Sequence, residues 1–561
     1  MTDIRRTILW VIFGFSMVLL WDQWQIHNGQ PATFFPKPTA ASSAKAASPE
    51  ASAAVPSASA LPTASGAATP GQVPAQAAPS APREKIEVLT DVMRLRFDSE
   101  GGSLVYAEFL KHADMVDPAK RFVLFDESAE RVYMAQTGLI GGSFPTHKTP
   151  MRFVGERELK DGQDSLAVRF ESEEVGGLRL VKTWTFKRGS HVIGVRHEVF
   201  NSGTAPASPQ LYMQLLRDGN KPAGESSFYF TFTGPAVYTD AKKYQKVDFE
   251  DIAKNKAEID KTSDNGFVAM VQHYFASAWL LPDGVSRENF VRKVDNNLFA
   301  VGMITPLGEI APGQGKAFEN TLYAGPQEEK VLESLATGLD LVKDYGWLAM
   351  LAKPLYWLLD QLHSVLQNWG WAIVGLVLLI KIAFYWLNAK AYSSMAKMKA
   401  INPRIMEMRE RLKNNPQQMQ MEMMKIYREE KVNPLGGCFP IMVQIPVFIA
   451  LYWVLLSSVE MRNAPWIGWI HDLSTPDPYF ILPIVMTLTT LLQTALNPAP
   501  PDPMQAKLMW FMPLIFSVMF FFFPAGLVLY WITNNVLSIA QQWLINTRMG
   551  VPPQFNLPKF K

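Results

Sequence analysis

Cysteine occurs once in 561 residues, as Cys438. That excludes an internal disulfide and any zinc cage built from several thiolates. Cys438 sits in an apolar run and reads as a small hydrophobe. Charge is scarce as well. Asp, Glu, Lys and Arg make up 19% of the chain and nearly cancel to +2, too little to draw a nucleic-acid partner directly. The scarcity is uneven: long stretches of the C-terminal third carry no charge at all, whereas the middle has the mixed composition of a water-facing domain. From Lys37 to Pro82 there is no aromatic residue, and only Lys37, Lys45 and Glu50 are charged. Such an Ala/Pro/Ser-rich segment has too little apolar surface to offset its ordering entropy, so residues 28–83 are expected to be a disordered tether.

Residues 1–27 hold Arg5 and Arg6, then an apolar run from Ile8 to Trp21. No small-x-small cleavage site comes after it. Trp21 and Trp24 come instead, and tryptophan favours a membrane interface. The segment reads as an uncleaved signal anchor with a cytoplasmic N-terminus. Residues 84–330 would then be periplasmic. There the pattern has period two: Ile86 and Val88 alternate with Lys85 and Glu87, Gly101-Gly102 marks a turn, and Leu178 to Phe186 and Val192 to Phe200 are further strands. This predicts a large antiparallel β-sandwich. His191 and His197 share a strand face but stand roughly 20 Å apart, too far to hold one metal. No carboxylate, nucleophile or metal-ligand pattern converges, so neither catalytic residue, metal nor cofactor is expected.

Residues 331–366 carry apolar positions at helical spacing among scattered charges, with Pro354 interrupting. They read as an amphipathic helix in the membrane interface or as a buried helix of the β-domain. A run with one charge, Lys381, predicts a span at 367–388, and uncharged runs predict spans at 435–458, 479–497, 508–523 and 526–546, the last two divided near Pro524-Ala525-Gly526. With the anchor these make six. Between Asn388 and Pro434 lie ten Lys or Arg residues, whereas Ser458 to Pro478 has only Arg462. The positive-inside rule therefore puts 389–434 in the cytoplasm, 459–478 in the periplasm, and both 498–507 and the tail 547–561 in the cytoplasm.

The basic loop has order of its own. Met398, Ile401, Ile405, Met408 and Leu412 recur every three or four residues, as do Met419, Met423 and Ile426. Asn402-Pro403 and Asn415-Pro416 each look like an N-cap followed by proline. A two-helix hairpin is expected, its methionine seam either packing internally or meeting varied partners. Within the spans, Lys381 is the one charge in its helix. It either snorkels toward the cytoplasm or faces a water-filled cavity. Gln444, Thr489, Thr490, Gln493, Asn534, Asn535 and Ser538 either line that cavity or bond between helices.

Several stretches match a known family. Asn433-Pro434-Leu435-Gly436-Gly437-Cys438-Phe439-Pro440 closely resembles the YidC insertase signature at the start of its third span. So do Met395-Ala396-Lys397-Met398, Trp469-Ile470-His471-Asp472-Leu473, Asp502-Pro503-Met504-Gln505 and Gly526-Leu527-Val528-Leu529-Tyr530-Trp531, all in family order between about Gly370 and Leu544. The anchor, linker and β-domain resemble the Gram-negative branch. The resemblance implies an α-helical polytopic inner-membrane protein, a five-helix insertase core plus the anchor, carrying the periplasmic β-sandwich. It implies a hydrophilic groove open to cytoplasm and lipid that receives nascent membrane proteins and releases their helices into the bilayer, alone or with the Sec translocon.

Carried onto this chain, Lys381 is the groove cation, and Gln444, Thr489, Gln493, Asn534, Asn535 and Ser538 are candidates for the hydrophilic wall. Phe439, Pro440, Phe523, Tyr530 and Trp531 fall where the client helix would slide. Lys399, Arg404, Met408, Arg409, Arg411 and Lys413 mark the cytoplasmic capture hairpin. The family more often has arginine at the groove position; lysine keeps the charge and lacks the planar fork. Implied partners are nascent inner-membrane proteins, the ribosome, the Sec translocon with its accessory proteins, and lipid, with nucleic acid met only through the ribosome. Two other readings remain: a secondary transporter with Lys381 in a substrate site, although no internal repeat is found, and a membrane-anchored periplasmic carbohydrate-binding protein.

Overall fold

The computed structural model describes residues 83–224, 231–413, 415–430, 439–497 and 503–548, with 550 and 555. The predicted anchor, the linker through residue 82, and the signature residues 433–438 lie outside them, as do the side chains of Lys399, Phe439 and Pro440. The chain forms two compact units. One is the described chain up to Tyr345 together with Ser457–Asn463; the other is Gly346–Leu456 with Ala464 onward.

The first unit has two antiparallel sheets, each of nine strands among the described residues. One runs edge to edge through Lys85–Leu89, Met93–Asp98, Ser103–Ala113, Arg121–Glu127, Val132–Ile140, Gln210–Asp218, Leu298–Pro306, Arg287–Asp295 and Thr262–Ser263. The other begins at Lys243–Lys246 and ends at Met151–Gly155, with Leu178–Lys187 and Val192–Asn201 paired within it. Alternation drives the outer strands: Ile86 and Val88 are buried while Lys85 and Glu87 face water. The inner faces meet through aromatic rings, Phe97 of one sheet lying 5.3 Å from both Phe170 and Trp184 of the other. Val132–Ile140 is buried on both faces, which is why its sequence does not alternate. At the predicted turn, Gly101 has φ +72°, and a Cβ there would stand 2.2 Å from the His147 carbonyl oxygen, so glycine is required.

Three buried polar groups bond across this core. Lys182 Nζ donates to the Gly101 and Thr137 carbonyls at 2.6 and 2.7 Å, and His197 Nε2 pairs with Thr137 Oγ1 at 2.9 Å. Burial without a carboxylate partner pushes the Lys182 ammonium down to about 7. Desolvation, aided by the Lys182 charge, holds His197 well below its usual value. These groups are sealed from solvent and serve as struts. His191 sits apart, its ring edge-on to Phe109 at 5.0 Å.

The second unit is helical: α1 Ala349–Leu366, α2 Trp369–Ala383, α3 Tyr385–Arg411, α4 Pro416–Glu429, α5 Phe439–Ser457, α6 Ile481–Leu496, α7 Pro503–Phe520 and α8 Ala525–Arg548. Pro354 lies inside α1 without breaking it. The span expected at 367–388 is bent: α2 ends at Ala383, Phe384 leaves the helix at φ −92°, ψ 11°, and α3 departs at 66°. Among the described residues no single helix is long and apolar enough to cross a membrane; α2 with Tyr385–Ser394 passes by length and composition only as that bent pair. At 16 residues, α6 reaches about 24 Å against a hydrocarbon core of about 30 Å. With 24 residues α8 is long enough, but Thr533, Asn534, Asn535, Ser538, Gln541 and Gln542 dilute its apolar run.

The hairpin differs from expectation in one cap. Asn415 caps α4, its Oδ1 accepting from the Gln418 amide at 3.2 Å. Asn402 lies inside α3, which runs through Pro403 without a break, so no helix starts there. The missing amide is tolerated because Ile401, Ile405 and Met408 on either side of Pro403 are buried against Ile426 of α4.

Candidate functional site

Polar groups converge where α2, α3 and α5 meet α8. Lys381, on the last turn of α2, is 6% exposed, and its Nζ donates to Ser538 Oγ at 2.7 Å. The Ser538 hydroxyl in turn donates to the Asn534 carbonyl at 2.7 Å, so its one proton and its lone pairs are both used. Gln444 of α5 donates to Asn534 Oδ1 at 2.6 Å. Asn388 of α3 donates to Gln541 Oε1 at 3.2 Å, and Gln541 Nε2 reaches the Lys381 carbonyl at 3.3 Å. On α8 the positions 530, 534, 538 and 541 are spaced by four, four and three, a single helical stripe.

Tyr530 and Asn534 of this stripe form one wall of a groove lined also by Val377, Ile380, Lys381, Phe384, Leu387, Asn388, Gln444 and Val447. Among the described residues, no acidic one lines it. The groove therefore presents one ammonium and three amides against an apolar background. Such a surface attracts an anionic or hydrogen-bonding segment and offers no nucleophile or acid–base pair.

A second polar cluster lies on another face of α8. Asn535 Nδ2 donates to Thr490 Oγ1 at 2.8 Å and to Thr489 Oγ1 at 3.3 Å, while Gln542 Nε2 reaches Asn497 Oδ1 at 3.3 Å. These are bonds between α6 and α8. Gln493 is half-buried and is not among the groove-lining residues. At the far end of the helices, the loop after residue 464 packs tightly. The Leu473 and Thr475 carbonyls accept from the Gly526 and Ala525 amides at 2.9 and 2.8 Å, satisfying the start of α8. A Cβ on Gly370 would meet Trp466 at 2.1 Å. Asp477 is buried and accepts from the Leu482 amide at 2.7 Å, tying down the start of α6.

Two family models match the chain: residues 85–358 match the one described as the YidC periplasmic domain, and residues 361–551 the one described as the 60Kd inner membrane protein. The chain is 55% identical over 550 residues to the membrane protein insertase YidC of Cupriavidus necator, covering 98% of both chains. It is 52% identical over 550 residues to that of Burkholderia multivorans, covering 98% of this chain and 99% of the relative. The chain belongs to the YidC family of membrane protein insertases. Among solved structures it is similar to an active YidC insertase crystal structure with the first transmembrane domain resolved, at TM-score 0.37 and 19% identity over 82% of this chain and 92% of that one.

As a YidC-family insertase, it is an inner-membrane protein whose β-unit is the periplasmic domain. Of the residues singled out from the sequence, Lys381, Gln444, Asn534 and Ser538 come together in the polar network, and Tyr530 lines the same groove. Thr489 and Asn535 belong to the α6–α8 cluster. Trp531 turns to an aromatic cluster, 4.6 Å from Phe448 and 4.9 Å from Phe520, and Phe523 stands 5.3 Å from Phe520. In the hairpin, Met408 is buried in the seam. Arg404 pairs with Glu429 and Glu430 at 3.0 and 2.9 Å, and Arg411 with Glu422 at 3.0 Å, whereas Lys413 is exposed and Arg409 half-buried. Asn388 and Gln541 were missed. Gln541 could have been found by spacing, three residues beyond Ser538, whereas Asn388 lies past the bend at Phe384 and no spacing from Lys381 points to it. The exposed Met406, Met421 and Met424, outside the seam, were missed as well.

Proposed function

We propose that the groove around Lys381 is where the insertase receives the hydrophilic flank of a client, while the client's apolar helix leaves past α5 and α7 into lipid. One observation carries this reading: an ammonium bonded to Ser538 at 2.7 Å, in a groove with no carboxylate among the described residues, walled by Asn388, Gln444 and Asn534. A buried lysine is costly in hydrocarbon, about 2.5–3.5 kcal/mol at a span's centre, and such a cost is usually kept for function. Acidic or amide groups of a client flank would supply the partners that the groove lacks. The work is then non-covalent. The carbonyl-to-amide bonds from Leu473 and Thr475 to the start of α8 support a groove closed at its periplasmic end. Exposed Phe511, Ile515, Phe516 and Val518 on α7 suit contact with acyl chains or a client helix.

The topology that fits this mechanism has six spans, at 1–27, 367–388, 435–458, 479–497, 508–523 and 526–546, with both termini cytoplasmic. The hairpin 389–434 lies in the cytoplasm and receives clients from the ribosome, with the Sec translocon as a partner for some of them. Its seam packs internally, and Met406, Met421 and Met424 supply adaptable outward contacts. The test uses clients with acidic translocated flanks, scored by protease accessibility of the flank. Lys381→Arg should preserve insertion and Lys381→Glu should impair it. Equal insertion by the Glu variant at equal protein level overturns the groove-cation role.

A further inference from the structure

The periplasmic unit is not continuous in sequence, since it takes in Ser457–Asn463. Each of four consecutive residues there is held differently. Val459 enters the sandwich's hydrophobic core, and Met461 is 1% exposed. Glu460 lies 3.2 Å from the ammonium of Lys343, whose side chain is fully buried and which also has Glu329 at 3.8 Å. The Arg462 guanidinium stands over three rings, 5.9 Å from Phe122, 5.3 Å from Tyr274 and 5.4 Å from Phe275, and donates to the Ala113 carbonyl at 2.8 Å. An acid seated on a buried cation and a base seated in an aromatic box, two residues apart, make a two-point recognition of opposite charge.

The segment has no slack. Ser457 is the last residue of α5 and also the first of this inserted stretch, and its hydroxyl donates to the Asp344 carbonyl at 2.6 Å. Toward its other end, α5 carries Gln444 and Val447 of the groove wall. Leu456 and Ser457 are consecutive residues of α5, so one continuous helix joins the groove wall to the seated residues in sequence.

We propose that Val459–Arg462 is a latch, seated in the periplasmic unit at rest and loosened when a client occupies the groove. The proposal rests on the groove reading above for the place where the client binds. Coupling of this kind is reciprocal: if the client loosens the latch, loosening the latch strengthens client binding by the same factor. The sandwich is then a restraint on insertion, and the whole domain is not needed for the insertion step itself.

The experiment measures amide hydrogen exchange across 457–463 in the full-length protein in lipid nanodiscs. It is done with and without a purified single-span client bearing an acidic flank, together with photocrosslinking of that client from position 444. Glu460→Gln and Arg462→Gln, each removing one charged contact, should raise exchange across 457–463 by about tenfold or more without client. Both should increase the crosslinked fraction, and client should raise exchange in the wild type. Arg462→Lys, which keeps the charge but loses the planar stack, should fall between Gln and wild type. Unchanged exchange in the strands 267–272 and 275–280 separates latch release from unfolding. The proposal is overturned if client leaves exchange across 457–463 unaltered, or if the variants loosen the segment without changing the crosslinked fraction. Loss of crosslinking in wild type and variants alike overturns the groove reading, while a client-dependent rise in exchange with no crosslink at 444 keeps the latch and moves the client site elsewhere.

Discussion

Replacing Lys381 by methionine separates two roles that a buried lysine can have. If the ammonium is a structural strut, its removal destabilises the helical unit. If it is held at a cost for clients, removal stabilises the unit and abolishes function. The geometry favours the second outcome. Lys381 is 6% exposed, its side chain donates to Ser538, and among the described residues no acidic one lines the groove. Holding the charge in hydrocarbon costs at most about 2.5–3.5 kcal/mol, the value for a span's centre, and a hydrogen bond from a charged donor returns about 1.5–3 kcal/mol. The net cost is about 0–2 kcal/mol. Methionine fills similar space without charge, and Ser538 Oγ keeps its bond to the Asn534 carbonyl. Lys381→Met should therefore be neutral or raise the melting temperature of the helical unit, by about 2–4 °C per kcal/mol for a unit of this size. Insertion of clients with acidic flanks should fall sharply. Ser538→Ala should do the reverse, lowering stability while leaving a charge to attract clients. Thermal melts in detergent and flank protease protection, run on the same preparations, read both quantities. A methionine variant that melts several degrees lower and inserts normally would refute the reasoning.

Met408→Asp buries an unpaired charge in the hairpin seam and should destabilise it by about 2–4 kcal/mol, seen as proteolysis between α3 and α4. Reversing Arg409 and Lys413 should leave the hairpin folded but lower crosslinking to ribosome-bound nascent chains; unchanged crosslinking and insertion after removal of the whole hairpin would show that its basic residues serve topology alone. Lys182 gives a pH signature: its ammonium is held down to about 7 when folded against 10.5 ordinarily, so the unfolded chain binds the extra proton between those values. The β-unit should thus gain stability as pH rises from about 7 to 10.5, by at most about 1.4 kcal/mol per pH unit, and Lys182→Met should lose that component of the slope. Deleting residues 83–325 while keeping the chain from Leu339 should leave insertion in place; complete loss in a stably expressed deletion would contradict the view of the sandwich as a restraint.

The features legible in the sequence were those set by local pattern. Lys381 stood out because nothing charged surrounds it in its run, and Asn534 and Ser538 because amides and hydroxyls are rare there. The break at Pro524 and the seam through Met408 rest on residues whose local preference and final packing agree. The failures arise where tertiary contact overrides local preference. Pro403 reads as a helix start, yet α3 passes through it because residues on both sides bury against α4. No proline or glycine marks the bend at Phe384, so the sequence gives no sign of it, and Asn388 reads as the end of the span rather than as part of the groove. Val132–Ile140 carries no period because both its faces are buried. Nothing in the sequence marks the seats of Glu460 and Arg462, since the Lys343 that meets one and the rings that meet the other lie more than a hundred residues away.

The central claim is that a client's hydrophilic flank enters the groove beside Lys381. It is tested most directly by placing a photocrosslinker at position 534, on the α8 wall, and stalling synthesis of a single-span client with an acidic flank. Asn534 lines the groove, whereas Trp543 further along α8 is 47% exposed and is absent from the lining. The account predicts adducts between position 534 and the flank that weaken in Lys381→Glu, with few from position 543. A client that inserts normally while position 534 yields no flank adduct would contradict it.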